Sequence, residues 1–246
     1  MENILQYKNN ATEAESNGDW IEAINWWIKA AELGDSESKL QCVIICSMLS
    51  DSMLINNEDA EYEAKILLDE AIRWHENLRN DDDYIADSDI ECTFAKACFM
   101  FSVMTEDAEL ALKYKYQTFE TLMPFAANMK EAPVERLMWA LSAQFVQDKT
   151  DAEVNSDLSE IARTILLDSV FDYESEIREH LIGEYLYIKA CEVCGLLLIE
   201  EDGDPESVDL AYSVFCRGEK LGSEVCSEIV SKYRTDKNGR KYIGIL

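Results

Sequence analysis

Gly18-Asp19-Trp20-Ile21-Glu22-Ala23-Ile24-Asn25-Trp26-Trp27-Ile28-Lys29-Ala30-Ala31-Glu32-Leu33-Gly34 is the stretch whose reading decides the fold. Apolar side chains fall at 20, 23, 24, 27, 30 and 31, the spacing of a helix with one buried face. Asn17-Gly18-Asp19 supplies a turn and an N-cap before it. Gly34 stands where a helix ends on a residue of left-handed conformation. Ala23 and Ala30, seven positions apart, leave room for a neighbouring helix to approach closely.

The layout returns near the C-terminus. Asp202-Gly203-Asp204-Pro205 reads as a turn with Pro205 at the first helical position, followed by Ala211, Val214, Phe215, Gly218 and Gly222. Ala23 to Gly34 and Ala211 to Gly222 are both eleven positions, so Ala30 aligns with Gly218, Trp27 with Phe215 and Ser38 with Cys226. Weaker copies lie between them: Ala64 with Ala71, Ala111 with Thr118, and Ala162 with Ser169. The leading small residues 23, 64, 111, 162 and 211 are 41, 47, 51 and 49 positions apart, and a helical pattern precedes each. Those patterns cover Ile4–Ser16, Glu37–Leu54, Asp89–Met104, Pro133–Val146 and Glu174–Ile199. Polar turns at Asn56-Asn57-Glu58-Asp59 and Asp148-Lys149-Thr150-Asp151 separate helices. A period of two helices predicts an all-α superhelix of about five hairpins closed by a C-terminal capping helix, Glu224–Tyr233. One domain is expected over 1–233, with a tail at 234–246.

The segment from Gly18-Asp19-Trp20 through Ala23, Trp26-Trp27, Lys29-Ala30-Ala31 and Gly34 resembles the second half of a Sel1-like repeat, a subset of the tetratricopeptide-like helical hairpins. Ala190, Gly195, Ala211, Gly218 and Gly222 resemble a second such unit, and together the two cover about a third of the chain. The central copies depart from the pattern: their intervals are longer, and Glu106–Leu122 and Ser156–Phe171 lack the Gly after the second helix. The resemblance implies a right-handed superhelix whose concave face binds protein or peptide, with no catalytic residues.

Composition narrows the classes. Hydrophobic residues are 48% and aromatics 10% of the 246, enough for a packed core, and only 3 Pro and 9 Gly punctuate them, which disfavours an all-β fold. Against 50 Asp and Glu stand 22 Lys and Arg, a net charge of −28 that repels nucleic acid and anionic lipid and attracts a basic protein. No basic leader precedes an apolar run at the N-terminus, and Gly195–Ile199 is far short of a membrane span, so a cytoplasmic protein with reduced thiols is expected.

Candidate chemical sites are sparse. Cys191-Glu192-Val193-Cys194 is a CxxC with no second pair, inside a helical run, and it reads as core packing, as do Cys42 with Cys46 and Cys92 with Cys98. His75 ends an amphipathic helix, where it complements the negative terminus, and His180 lies on a charged stretch. Asn80-Asp81-Asp82-Asp83-Tyr84 lacks the central glycine of a calcium loop and reads as an inter-helix loop. Trp20 and Trp27 fall on the stripe and are expected in the core. Trp26, Tyr114 and Tyr116 fall beside it, as anchors lining a groove. The one basic stretch, Lys232 to Tyr242, is expected to fold back on acidic helices. No cofactor or metal is expected. The function expected is binding of a basic protein or peptide in an acidic groove, as a scaffold does. Two alternatives remain: an immunity-type protein neutralising a basic toxin, and an enzyme or metal protein using Cys191 and Cys194.

Overall fold

A computed structural model describes residues 2–56, 60–126, 132–146, 152–180, 182–200, 205–237 and 239–243. It is all-α apart from one small hairpin. In chain order the helices are α1 (Glu2–Ser16), α2 (Trp20–Ala31), α3 (Ser36–Asn56), α4 (Glu61–Leu78), α5 (Ser88–Met104), α6 (Ala108–Ala126), α7 (Pro133–Val146), α8 (Ala152–Phe171), α9 (Glu174–Arg178), α10 (Gly183–Glu200), α11 (Pro205–Lys220) and α12 (Glu224–Lys232). Strands β1 (Tyr233–Thr235) and β2 (Lys241–Ile243) pair antiparallel after them, with Tyr233 opposite Ile243. Among the described residues no helix is long and apolar enough to cross a membrane.

Local chemistry sets the helix ends where the sequence places them. Gly18 (φ 76°) turns the chain, and Asp19 accepts the Glu22 backbone N–H at 3.0 Å to start α2. Gly34 (φ 90°) ends that helix with a backbone geometry no L side chain adopts cheaply, and Asp35 then caps α3 by accepting from Ser38 N at 2.9 Å. Asp87, Asp107 and Ser223 cap α5, α6 and α12 in the same manner. Pro205 opens α11. The turn residues Asn57 to Asp59, Asp148 to Asp151 and Asp202 to Asp204 lie outside the described residues.

The chain forms two compact units, Met1–Phe125 and Ala126–Leu246. In the first, each helix from α1 to α5 packs on the next, and α3 also packs on α5. α6 closes on α5 through Tyr114 against Phe101, ring centroids 4.9 Å apart, and through Thr118 Oγ1 donating to Ala95 O at 3.2 Å. In the second, α7 packs on α8 and both pack on α10. α11 follows α10, and α12 packs on both.

The small residues lie where helices meet. Ala23, Ala30, Ala64, Ala71, Ala162 and Ala211 have no or almost no exposed surface. The aligned pairs share their burial: Trp27 with Phe215, and Ser38 with Cys226. A Cβ on Gly218 would stand 2.4 Å from Cys226 Sγ, whereas the first copy combines Ala30 with the smaller Ser38. Volume is thus shared differently in the two copies. Gly218→Ala is expected to cost about 1–2 kcal/mol despite the better helix propensity of alanine. In a Cys226→Ala background, which removes the sulfur contact but leaves the Cys191 and Cys226 Cβ atoms at 3.2 and 3.3 Å, the same change is expected to cost less. A double-mutant cycle by urea unfolding reads this, and strict additivity refutes it.

Five expectations are corrected. The helix expected over Glu174–Ile199 is broken into α9 and α10. The chain turns so tightly at Gly183 that a Cβ there would lie 1.6 Å from Ile177 O, a constraint that periodicity does not register. Trp20 is 38% exposed, because it is the first helical residue and the buried stripe begins at Ala23. Ala111 is only half-buried, in the first turn of α6. The buried stripe of that helix runs instead through Tyr114, Thr118 and Leu122. Tyr114, 6% exposed, therefore belongs to the core and lines no groove. The residues after Lys232 include a β-hairpin, turned by Gly239 (φ 84°), that returns onto α11: Lys241 N donates to Asp209 Oδ1 at 3.1 Å, and its ammonium sits 4.4 Å from the Tyr212 ring centroid. The return onto an acidic helix is as expected; the strand pairing is not.

Candidate functional site

Of the aromatic anchors read from the sequence, Trp26 and Tyr116 are half-buried. Trp26 stacks on Tyr7 of α1 at 5.7 Å, donates Nε1–H to Glu22 Oε1 at 3.2 Å, and carries the Lys29 ammonium 3.7 Å from its ring centroid. Its faces and its N–H are already engaged within the α1–α2 hairpin. Tyr116 hydrogen-bonds Glu120 one turn on along α6, and that contact raises its phenol pKa. The three do not converge on one site.

Cys191 and Cys194 are buried, and burial pushes both thiols up to about 12. Such thiols carry no thiolate at neutral pH and are poor nucleophiles and ligands. Cys42, Cys46 and Cys98 are raised by burial in the same way. Among the described residues no three His, Cys, Asp or Glu side chains are grouped as a metal ion requires.

The most concentrated polar chemistry in the first unit is one the sequence reading assigned to a helix end. His75, fully buried in α4, stacks on Phe94 with centroids 3.9 Å apart and places Nε2 3.2 Å from Glu91 Oε1 of α5. Tyr84 donates its hydroxyl to the same oxygen at 2.7 Å, and the Arg79 guanidinium pairs with the other. Burial alone would raise the Glu91 pKa. Three charge-assisted contacts outweigh it and hold the carboxyl at about 2. Burial raises the Tyr84 phenol, and the same carboxylate adds to the shift. Nδ1 of His75 finds no partner among the described residues. An imidazole held by a carboxylate is the raw material of acid–base catalysis, but here it is sealed behind an aromatic ring. The cluster instead fastens the 79–87 loop across α4 and α5. Asp81 of that loop also takes Ser36 Oγ at 2.8 Å and Lys39 Nζ at 2.5 Å from α3, so the acidic run is a docked connector. The signal available in the sequence was His75 and Glu91 each falling on a buried helical stripe.

The second unit has a counterpart. Arg217 of α11 reaches Glu174 Oε2 at 3.1 Å and Val170 O at 2.8 Å, and Tyr187 Oη bonds the same carboxylate and the same carbonyl, both at 3.0 Å. This ties the C-terminus of α8 and the start of α9 to α10 and α11.

Several cations serve as such ties between elements. Lys8 pairs with Asp35 and Glu37, Lys39 with Asp81, Lys96 with Asp51 and Arg79 with Glu91, each joining separate elements. With 22 basic residues against 50 acidic ones, the exposed surplus is carboxylate.

Known protein-family models and curated proteins provide no match to this chain.

Proposed function

We propose that this protein is a non-catalytic helical-repeat binding protein, related to the Sel1-like and tetratricopeptide-like repeats, that holds a basic protein or peptide. In this reading its hairpins are stacked as a superhelix, and the helix faces not consumed in packing carry the contacts. The observation that carries it is electrostatic: 50 acidic residues against 22 basic ones, a net charge of −28, leave carboxylates as the dominant outward-facing chemistry. Such a field draws cationic partners at high rate and turns anionic ones away. Buried, protonated cysteines and a sealed His75 support a binding role over a chemical one.

The test is retention on the immobilised protein followed by a salt gradient. Basic partners are expected to be held at low salt and released as the screening length falls from about 10 Å at 0.1 M to about 3 Å at 1 M. Retention of acidic proteins, or binding indifferent to salt, overturns the reading. The same charge favours a more specific version, neutralisation of a basic toxin. One small basic partner, in one-to-one stoichiometry and with very tight affinity, identifies it.

A further inference from the structure

We propose that Cys216 of α11 is a site of reversible oxidation, where a peroxide converts the thiol to a sulfenic acid held by two tyrosine hydroxyls. Six of the eight cysteines are buried, and only Cys92 and Cys216 are half-buried. Cys216 stands one helical turn after Tyr212, whose hydroxyl hydrogen-bonds it, a contact that raises the Tyr212 phenol. Tyr233, the first residue of β1, packs its ring 5.0 Å from that of Tyr212 and 6.5 Å from that of Phe215, centroid to centroid. Tyr233 is only 7% exposed, yet its hydroxyl has no hydrogen-bond partner among the described residues. Burial raises that phenol to about 12, and Cys216 is the next cause, ahead of Asp209, which sets thiol and hydroxyl side by side. A buried donor without an acceptor is a cost the fold carries for no packing reason.

Oxidation supplies the missing acceptor. The Cys216 sulfur attacks one oxygen of hydrogen peroxide as its thiolate, so that a sulfur–oxygen bond forms and the oxygen–oxygen bond breaks. Sulfur gives up two electrons to the peroxide. The proton lost by the thiol goes to the departing hydroxide, which leaves as water. The oxygen now on sulfur accepts from the Tyr233 hydroxyl, while Tyr212 keeps its bond to the same residue. The Lys241 ammonium, 4.4 Å from the Tyr212 ring centroid, brings positive charge to a cluster where Asp209 and Glu219 bring negative. Asp209 is itself engaged by the Lys241 backbone N–H at 3.1 Å. The six buried thiols lack this access, and burial raises each of them.

The experiment treats the full chain with hydrogen peroxide at neutral pH in the presence of dimedone, which traps sulfenic acids, and locates the adducts by peptide mass spectrometry. Cys216 is expected to carry at least about tenfold more adduct than Cys92, the half-buried comparison, and than any buried cysteine. Tyr233→Phe removes only the unpartnered hydroxyl, so the melting curve without peroxide is expected to be unchanged or slightly raised. The same variant, and Tyr212→Phe, are expected to bring the Cys216 adduct down towards the level of Cys92. A purely structural role for either hydroxyl would move the melting curve and leave the adduct ratio alone. Adduct spread evenly over the cysteines, or led by Cys92, overturns the site. A Cys216 lead that persists in both tyrosine variants overturns the part given to the hydroxyls. The map of the unaltered protein decides the site by itself, whether or not a variant folds.

Discussion

Ala23→Glu is expected to abolish the cooperative thermal transition of the unit that contains it. Ala23 has no exposed surface and lies on the buried stripe of α2, the helix packed against both α1 and α3. A glutamate there must either bury an unpaired carboxylate or push two helices apart. Either costs about 3–5 kcal/mol or more, against a typical stability of about 5–15 kcal/mol. Ala211→Glu imposes the same demand in the second unit, where Ala211 of α11 is equally buried. Circular dichroism during heating reads both, with Asn25→Glu on the exposed side of α2 as the control. Melting curves unchanged in both variants would remove the shared register of the two repeats.

Removing the Glu91 side chain is the second large effect. Glu91→Ala leaves His75 Nε2, the Tyr84 hydroxyl and the Arg79 guanidinium without their shared acceptor. Loss of one partner from a buried charged network costs about 3–5 kcal/mol. The pH dependence separates this from simple cavity formation. Glu91 is held at about 2, below its ordinary 4.5, so its ionisation favours the folded state. That contribution is complete above about pH 4.5 and is lost as pH falls through 2. The shift corresponds to about 3 kcal/mol. Urea unfolding of the wild type and Glu91→Gln across this window is expected to show a stability gap at neutral pH that closes towards pH 2. A gap that stays constant means that the ionised carboxylate is not what the cluster holds.

Periodicity revealed α2 and its sequence counterpart α11 because their termini are written locally: glycines at 18, 34 and 222 adopt positive φ, Asp19 accepts from its own helix, and Pro205 opens the other. The break between α9 and α10 was illegible because it depends on Ile177 O approaching Gly183, a contact the apolar pattern across that stretch does not encode. Tyr114 and Trp20 failed for a related reason. A stripe assigned from small residues can be rotated by a residue or extended by a turn without offending the pattern, and only the neighbouring helix, here Phe101 of α5 against Tyr114, decides which side is inside. His75 was read by its place on one helix, yet its surroundings come from Glu91, Tyr84 and Phe94, which are 9 to 19 positions further on.

By itself the sequence determined that this chain folds into all-α hairpins, where most of those helices begin and end, which small residues they close upon, and that its surface is strongly acidic. These are properties of residues within a few positions of one another, or of simple sums. Tertiary structure alone decided that Glu91 gathers His75, Arg79 and Tyr84, that Arg217 locks Glu174 and Tyr187, and that Tyr62 and Ile66 of α4 stay uncovered. Those outcomes depend on which helix faces meet, and burial of a side chain is a property of the neighbour that arrives rather than of the residue that waits.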